Sequence, residues 1–310
     1  AHLNIPSLDK NKVSTLSKTV INNLLIDDLG FKGLVITDAL DMKAIVDFSK
    51  GDYPDVSALN AGNDLLLMPT DVAKSIKELK KAIQKNKIST KTLEKAVKKN
   101  LMAKYKSGLN NFKPIETENI VEDLNQDIDY ALLDRLAEDS MTLVKNHNTN
   151  LPISISDQKS IGYINMGDDS YNTFLKYLNK YSKVDHIYQN NKDSLIEISK
   201  NYDKVIVGLH KSDKSPFGEY KFTEDEISII NDLKKLTDLT LVVFSKPYSI
   251  FDLNIDDIQS ILIAYQNSTV FQEKAAQAIF GAIDVKGKLP VTINKDIPVN
   301  TSIKLKKKRF

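Results

Sequence analysis

The 310-residue chain has no cysteine. Disulfides, thiolate metal sites and a cysteine nucleophile are therefore excluded, while either redox compartment stays open. No apolar run approaches the roughly 20 residues that a membrane-spanning helix needs. Neither sign of charge dominates: 43 Lys and Arg stand against 41 Asp and Glu, a formal net charge of +2. That balance argues against nucleic acid as the main partner. No residue cluster has metal-ligand spacing, and Gly162, Gly167 and Gly208 do not form a phosphate-binding fingerprint. The sequence opens at Ala1 and not at an initiator Met. The first residues, Ala1-His2-Leu3-Asn4-Ile5-Pro6, read as the end of a strand entering a loop, so further sequence upstream is expected.

What is present suits a folded protein. Hydrophobic residues make up 41% of the chain and charged residues 27%, enough apolar material for a sizeable core and against global disorder. The length suggests roughly two domains. Charge is blocked locally: residues 71–108 carry 12 Lys against Asp71, Glu78 and Glu94, and residues 115–140 carry nine carboxylates. Two solvated helix faces account for these blocks. The basic tail at 304–309 reads as a linker.

Hydrophobic periodicity divides the chain in two. Leu16, Val20, Ile21, Leu24 and Leu25 predict a helix over 14–29, with Ser14 as N-cap and Gly30 just past its end. Gly33-Leu34-Val35-Ile36-Thr37-Asp38 and Asp64-Leu65-Leu66-Leu67-Met68-Pro69 are short apolar runs, the pattern of buried parallel strands. Helices are predicted at 55–61, around Val72 to Ile83, and around Leu93 to Leu101. Residues 1–108 thus alternate strand and helix, which implies a parallel sheet with right-handed crossovers. His2, Thr37-Asp38 and Met68-Pro69-Thr70 gather at the C-terminal ends of these strands, where α/β folds place their active sites. Residues 113–130 read as linker, and 131–145 as a helix leading to Leu151-Pro152. The alternation resumes beyond, with strands at 161–166, 184–188, 205–209, 239–244 and 261–265 and helices at 171–181, 194–201, 223–236 and 270–280. The second domain, 131–310, is accordingly an α/β layered, parallel-sheet unit ending in the basic tail.

The stretch Lys32-Gly33-Leu34-Val35-Ile36-Thr37-Asp38-Ala39-Leu40-Asp41-Met42 carries the chemistry. Asp38 closes a buried strand, where a carboxylate is costly unless donors or a cation satisfy it. A satisfied carboxylate stays ionised and can act as a nucleophile. Asp is equally a good N-cap, and spacing alone leaves both readings open.

This stretch resembles the nucleophile strand of family 3 glycoside hydrolases, in particular the bacterial β-N-acetylglucosaminidase branch. Other segments resemble the family in order. Ala1-His2 with Pro6 is similar to the sixth strand of its (β/α)8 barrel, and Ala58-Leu59-Asn60-Ala61-Gly62-Asn63-Asp64-Leu65-Leu66-Leu67-Met68 to the eighth. Lys104-Tyr105-Lys106-Ser107-Gly108-Leu109 is similar to the end of the barrel domain. Ser140-Met141-Thr142-Leu143-Val144-Lys145-Asn146 with Leu151-Pro152 is similar to the start of the second domain, and Lys246-Pro247-Tyr248 and Gly287-Lys288-Leu289-Pro290-Val291 to its late strands.

The resemblance implies that residues 1–112 are the last three βα units of a (β/α)8 barrel. It implies retaining hydrolysis of N-acetylglucosaminides, without cofactor or metal. Asp38 would be the nucleophile, His2 and Met42 would line the sugar and aglycone sides, and Asp41 would begin the following helix. The acid/base implied is a His held by an Asp on a loop after an earlier strand, and that loop, the family's Lys-His pair and its sugar-binding Arg would lie upstream of Ala1. The missing N-terminal barrel segment, or another polypeptide supplying it, is thus an expected partner. The same family includes phosphorylases, β-glucosidases and β-xylosidases, and its relatives with this second domain are often exported. The second unit could instead be a non-catalytic binding or interaction module, or could supply an acid from Asp168, Asp169, Asp213 or Glu219. A structural role is the favoured expectation, with His147, His186 and His210 as ordinary polar positions.

Overall fold

The computed structural model describes residues 2–43, 45, 53–168, 172–188, 191–212, 215 and 217–308. The chain divides into two compact units, Ala1–Glu118 and Asn119–Phe310.

The first unit opens with a short 3-10 turn, Ser14–Leu16, and a wider helix of the i→i+5 type, Thr19–Asp28. This corrects the expected single helix from Ser14. Val13 stands at the cap position, and the Ser14 hydroxyl instead accepts the Leu3 amide at 3.1 Å. Segments 35–37 and 65–67 then run side by side and parallel, bridged at Ile36 and Leu65. Between and after them lie α1 (Pro54–Ala61), α2 (Val72–Gln84) and α3 (Thr90–Lys106). Local chemistry sets their ends. Asp71 and Ser89 cap α2 and α3 by accepting the amides of Lys74 (2.9 Å) and Thr92 (3.1 Å). Gly62 ends α1 at φ +113°, and a Cβ there would meet Ile21 at 3.3 Å, so glycine is the residue that fits.

In the second unit the expected linker and helix are corrected. Residues 120–124 form α4 (Ile120–Leu124), and α5 (Asp127–Ser140) starts four residues earlier than periodicity suggested. It stops at Met141, whose ψ of 118° leaves helical geometry, and Thr142–Asn146 is strand β1. The sheet continues through β2 (Ile161–Gly167), β3 (Val184–His186), β4 (Lys204–His210), β5 (Asp238–Phe244) and β6 (Ser260–Ile263). Its order is β1-β6-β5-β4-β2-β3. Four neighbouring pairs are parallel, but β1 runs antiparallel to β6. The sheet is therefore mixed, which corrects the expected purely parallel one. A strand hidden at the end of a helical pattern escapes a periodicity argument.

Helices α6 (Asn172–Leu178), α7 (Lys192–Ser199), α8 (Glu224–Leu233) and α9 (Thr269–Phe280) complete this unit. The strands are apolar on both faces, as a sheet covered on two sides demands. Ile206, Val242, Phe244 and Leu262 pack with Phe174, Ala275, Ile279 and Phe280 on one face. Val205, Val207, Leu209, Leu241 and Val243 pack with Leu195, Ile230 and Leu233 on the other. Gly287 passes so close to the start of β1 that a Cβ would sit 2.4 Å from the Thr142 hydroxyl and 2.5 Å from the Met141 carbonyl. That approach explains why glycine stands in the Gly-Lys-Leu-Pro segment.

Candidate active site

The two parallel segments of the first unit determine where Asp38 stands. The Thr37 amide donates to the Leu65 carbonyl (3.1 Å), the Leu67 amide to the Thr37 hydroxyl (2.9 Å), and the Leu40 amide to the Leu67 carbonyl (3.0 Å). Pairing thus continues past Asp38 on both sides and fixes its Cα at the C-terminal edge. The buried start of the second segment anchors the pair. Asp64 Oδ2 accepts the Val35 amide (2.9 Å) and the Lys99 ammonium (2.7 Å), and Lys99 also donates to the Gly33 carbonyl (2.8 Å). Asn63, fully enclosed, donates to the carbonyls of Thr15 (2.9 Å) and Ala58 (2.7 Å). Sequence reasoning missed Asn63, Asp64, Lys99 and Asn100 as anchors. Their signal was the adjacent polar pair at the mouth of an apolar run, which only burial turns into an argument.

Asp38 is half-buried. Its Oδ1 accepts the amide of the next residue, Ala39, at 2.9 Å. That amide above all holds the carboxyl below the ordinary aspartate range. An N-cap would accept from the second or third helical amide. Asp38 does not, since the first described helical residue beyond it is Lys43. The capping role is thereby set aside. Asp41 and Met42 lie exposed in the intervening turn.

His2 is part-buried and held at both ring nitrogens. Nε2 lies 2.8 Å from the Ala39 carbonyl and Nδ1 2.8 Å from the Thr15 hydroxyl. Because a carbonyl can only accept, Nε2 carries the proton. A cavity of about 540 Å³ opens beyond these segments, lined by Leu40, Tyr53, Asp55, Thr70, Asp71 and Lys74 but not by Asp38. Asp55 is buried there, and one of its carboxylate oxygens has no hydrogen-bond partner among the described residues.

In the second unit, the candidate acids divide. Asp169 and Asp213 lie outside the described residues. Asp168 accepts the Asn267 amide at 3.0 and 3.4 Å. Glu219 accepts the amides of Lys221 (2.8 Å) and Tyr220 (2.9 Å), and these two bonds lower its pKa, the wrong direction for a proton donor near neutrality. His147 is exposed and bonded to Gln259, while His186 bonds to Asn165 at 2.8 Å and is shifted down by burial.

His210, at the end of β4, is fully enclosed. Tyr163 lies 2.6 Å from its Nε2, and its Nδ1 lies 2.7 Å from Asn267 Oδ1, which also accepts from Gln272 at 2.9 Å. With an acceptor at Nδ1, the ring is protonated there and receives the Tyr163 hydroxyl at Nε2. Burial pushes its pKa down to about 4. This network was also missed, since Tyr163, His210 and Asn267 are each more than forty residues apart in sequence.

Among the described residues, no group of three or more His, Cys, Asp or Glu could hold a metal ion. No described helix is long and apolar enough to cross a membrane.

Comparison with known proteins gives the following. Residues 1–102 match the glycosyl hydrolase family 3 N terminal domain, and residues 141–309 the glycosyl hydrolase family 3 C-terminal domain. A β-xylosidase of Formosa agariphila is 25% identical across 90% of this chain and 45% of its own length. β-Hexosaminidase A of Pseudoalteromonas piscicida is 30% identical over 129 residues, 35% of this chain and 21% of its own. Among solved structures, a family 3 β-N-acetylglucosaminidase from Paenibacillus sp. aligns with TM-score 0.69 and 20% identity, over 98% of this chain and 58% of its own. A β-glucoside phosphorylase aligns with TM-score 0.72 and 19% identity, over 87% and 51%. These structural likenesses speak for the fold. The chain spans less than half the length of these curated relatives.

Proposed function

The chain belongs to glycoside hydrolase family 3, and from that premise we propose that it carries the nucleophile-bearing part of a retaining exo-β-N-acetylglucosaminidase. The observation that carries the reading is Asp38, an ionised carboxylate at the C-terminal edge of a paired segment, outside any helix cap. In this reading residues 1–112 are the last three βα units of a (β/α)8 barrel, and residues 131–310 are a structural second domain. Asp38 attacks the anomeric carbon and the aglycone oxygen leaves with a proton. Water, deprotonated by the same acid/base group, then opens the glycosyl-enzyme with the configuration kept. The acid/base comes from the polypeptide that completes the barrel, and Met42 faces the aglycone side.

The N-acetylglucosaminide assignment rests on the Thr37-Asp38-x-Leu40-x-Met42 pattern and on the likeness to β-hexosaminidase A. A second reading, β-xylosidase or β-glucosidase, is favoured by the β-xylosidase relative that matches 90% of the chain. Chromogenic N-acetylglucosaminide, xyloside and glucoside should be compared in the assembly that contains the completed barrel, with and without phosphate. A kcat/KM highest for N-acetylglucosaminide and independent of phosphate is expected. A xyloside or glucoside preference would replace the substrate assignment. Phosphate-dependent turnover would replace hydrolysis with phosphorolysis.

A further inference from the structure

We propose that His2 acts as a positioning residue for Asp38, clamping the peptide that follows the nucleophile instead of touching the sugar. The inference rests on the reading of Asp38 as nucleophile and deepens it.

The geometry is a chain of short, directed bonds. Nε2–H of His2 donates to the Ala39 carbonyl at 2.8 Å. The Leu40 amide, at the other end of the same peptide unit, donates to the Leu67 carbonyl at 3.0 Å. The plane of peptide 39–40 is therefore held from both sides, by an imidazole on one and by the neighbouring strand segment on the other. Ala39 is also the residue whose own amide holds Asp38 Oδ1 at 2.9 Å. That amide belongs to the preceding peptide, 38–39, which is joined to the clamped one through the φ and ψ torsions of Ala39 alone, so holding peptide 39–40 narrows the directions open to the amide and, through it, the rotamers open to the carboxylate. The ring itself cannot swing, because Nδ1 is engaged by the Thr15 hydroxyl at 2.8 Å. Thr15 is buried, and its carbonyl is tied to Asn63 at 2.9 Å. The clamp is thus built on an enclosed part of the unit and not on a loop.

With both nitrogens committed to protein groups, His2 has no donor or acceptor left for a sugar hydroxyl. Its influence must pass through Asp38. A nucleophile displaced by about 1 Å can lose roughly a hundredfold in rate, whereas substrate binding is little affected.

The test compares His2→Ala, His2→Gln and Asp38→Asn. In the assembly with the completed barrel, His2→Ala should lower kcat about a hundredfold and change KM less than about threefold. His2→Gln, whose side-chain amide can still donate to the Ala39 carbonyl, should recover about tenfold or more of that loss. On the chain itself, ¹⁵N NMR should find His2 protonated at Nε2, and His2→Ala should shift the Ala39 amide and Asp38 carboxyl resonances. A rise in KM with kcat unchanged, a Gln variant no better than Ala, or unmoved Ala39 and Asp38 resonances would each overturn the positioning role. Full activity in Asp38→Asn overturns the assignment of the nucleophile instead, and the NMR comparison still decides whether His2 orders residue 38.

Discussion

Asp38 and His210 have their charge states set in opposite ways by their surroundings. Asp38 accepts a hydrogen bond from the Ala39 amide and stays ionised into acid, because its folded value is lowered. A fall in kcat/KM between pH 7 and pH 5 must therefore come from another group. Asp38→Gly should cut turnover by at least about a thousandfold. Azide should then restore it with inverted anomeric configuration, because a single displacement from the vacated face remains. Rescue with retained configuration would reject Asp38 as nucleophile. His210 is instead kept neutral: enclosed, and with its pKa pushed down to about 4 from an ordinary 6.5. The unfolded chain binds the extra proton first, so this contribution is complete above pH 6.5 and declines as pH falls toward 4. Linkage puts the loss by pH 5 at about 2 kcal/mol. Urea unfolding of the second unit should therefore weaken by about that amount from pH 7 to pH 5. His210→Gln should flatten this slope, and an unchanged slope would place the titration elsewhere. Of these two residues, only Asp38 was legible in the sequence as a site. It sits at the end of an apolar run inside a dense motif. His210, Tyr163 and Asn267 meet only through the sheet register, which pairs Gly167 with His210 across β2 and β4.

At the scale of elements, the pairing of segments 35–37 and 65–67 depends on one enclosed ion pair. Asp64 and Lys99 meet at 2.7 Å, with side-chain exposures of only 5% and 20%. Through Lys99 and Asn100, whose amide donates to the Asp64 carbonyl at 2.7 Å, α3 is fastened to the strand that places Asp38. Removing one partner of such a pair strands the other charge in low dielectric, which outweighs the lost attraction. Lys99→Met should destabilise the first unit by roughly 3 kcal/mol, and Asp64→Asn added to it should recover part of that loss. A double variant as weak as the sum of the singles would mean that the two side chains act independently. Elements of this kind were partly legible. The strands β2, β4 and β5 and helix α9 follow from apolar runs and helical spacing. β1 did not, because Thr142–Asn146 continues an amphipathic helix without a proline or glycine to mark the break. Only pairing with β6 selects the extended form.

At the scale of the molecule, the first unit exposes apolar surface for which the proposed partial-barrel reading accounts. Ile36, between the paired segments' own bonds, is 52% exposed, and Met68 58%. Helix α3 exposes Val97, Leu101, Met102 and Tyr105 along one face, where an apolar depression of about 500 Å³ lies. Exposed strand edges and helix faces of this kind are what further βα units cover in a closed barrel. Retaining hydrolysis also needs a second catalytic group about 5–5.5 Å from the nucleophile. His2, the imidazole beside Asp38, has both nitrogens committed to the Ala39 carbonyl and the Thr15 hydroxyl. The 310-residue chain alone should therefore leave chromogenic N-acetylglucosaminide, glucoside and xyloside uncleaved above background. It should also bind a hydrophobic dye such as ANS while retaining its circular dichroism. Mixing or co-expression with a polypeptide that supplies the remaining barrel strands should suppress dye binding and produce turnover that Asp38→Asn abolishes. Robust turnover by the purified chain, lost in Asp38→Asn, would mean that residues within this chain furnish the acid/base, and the partial-barrel reading would have to be abandoned.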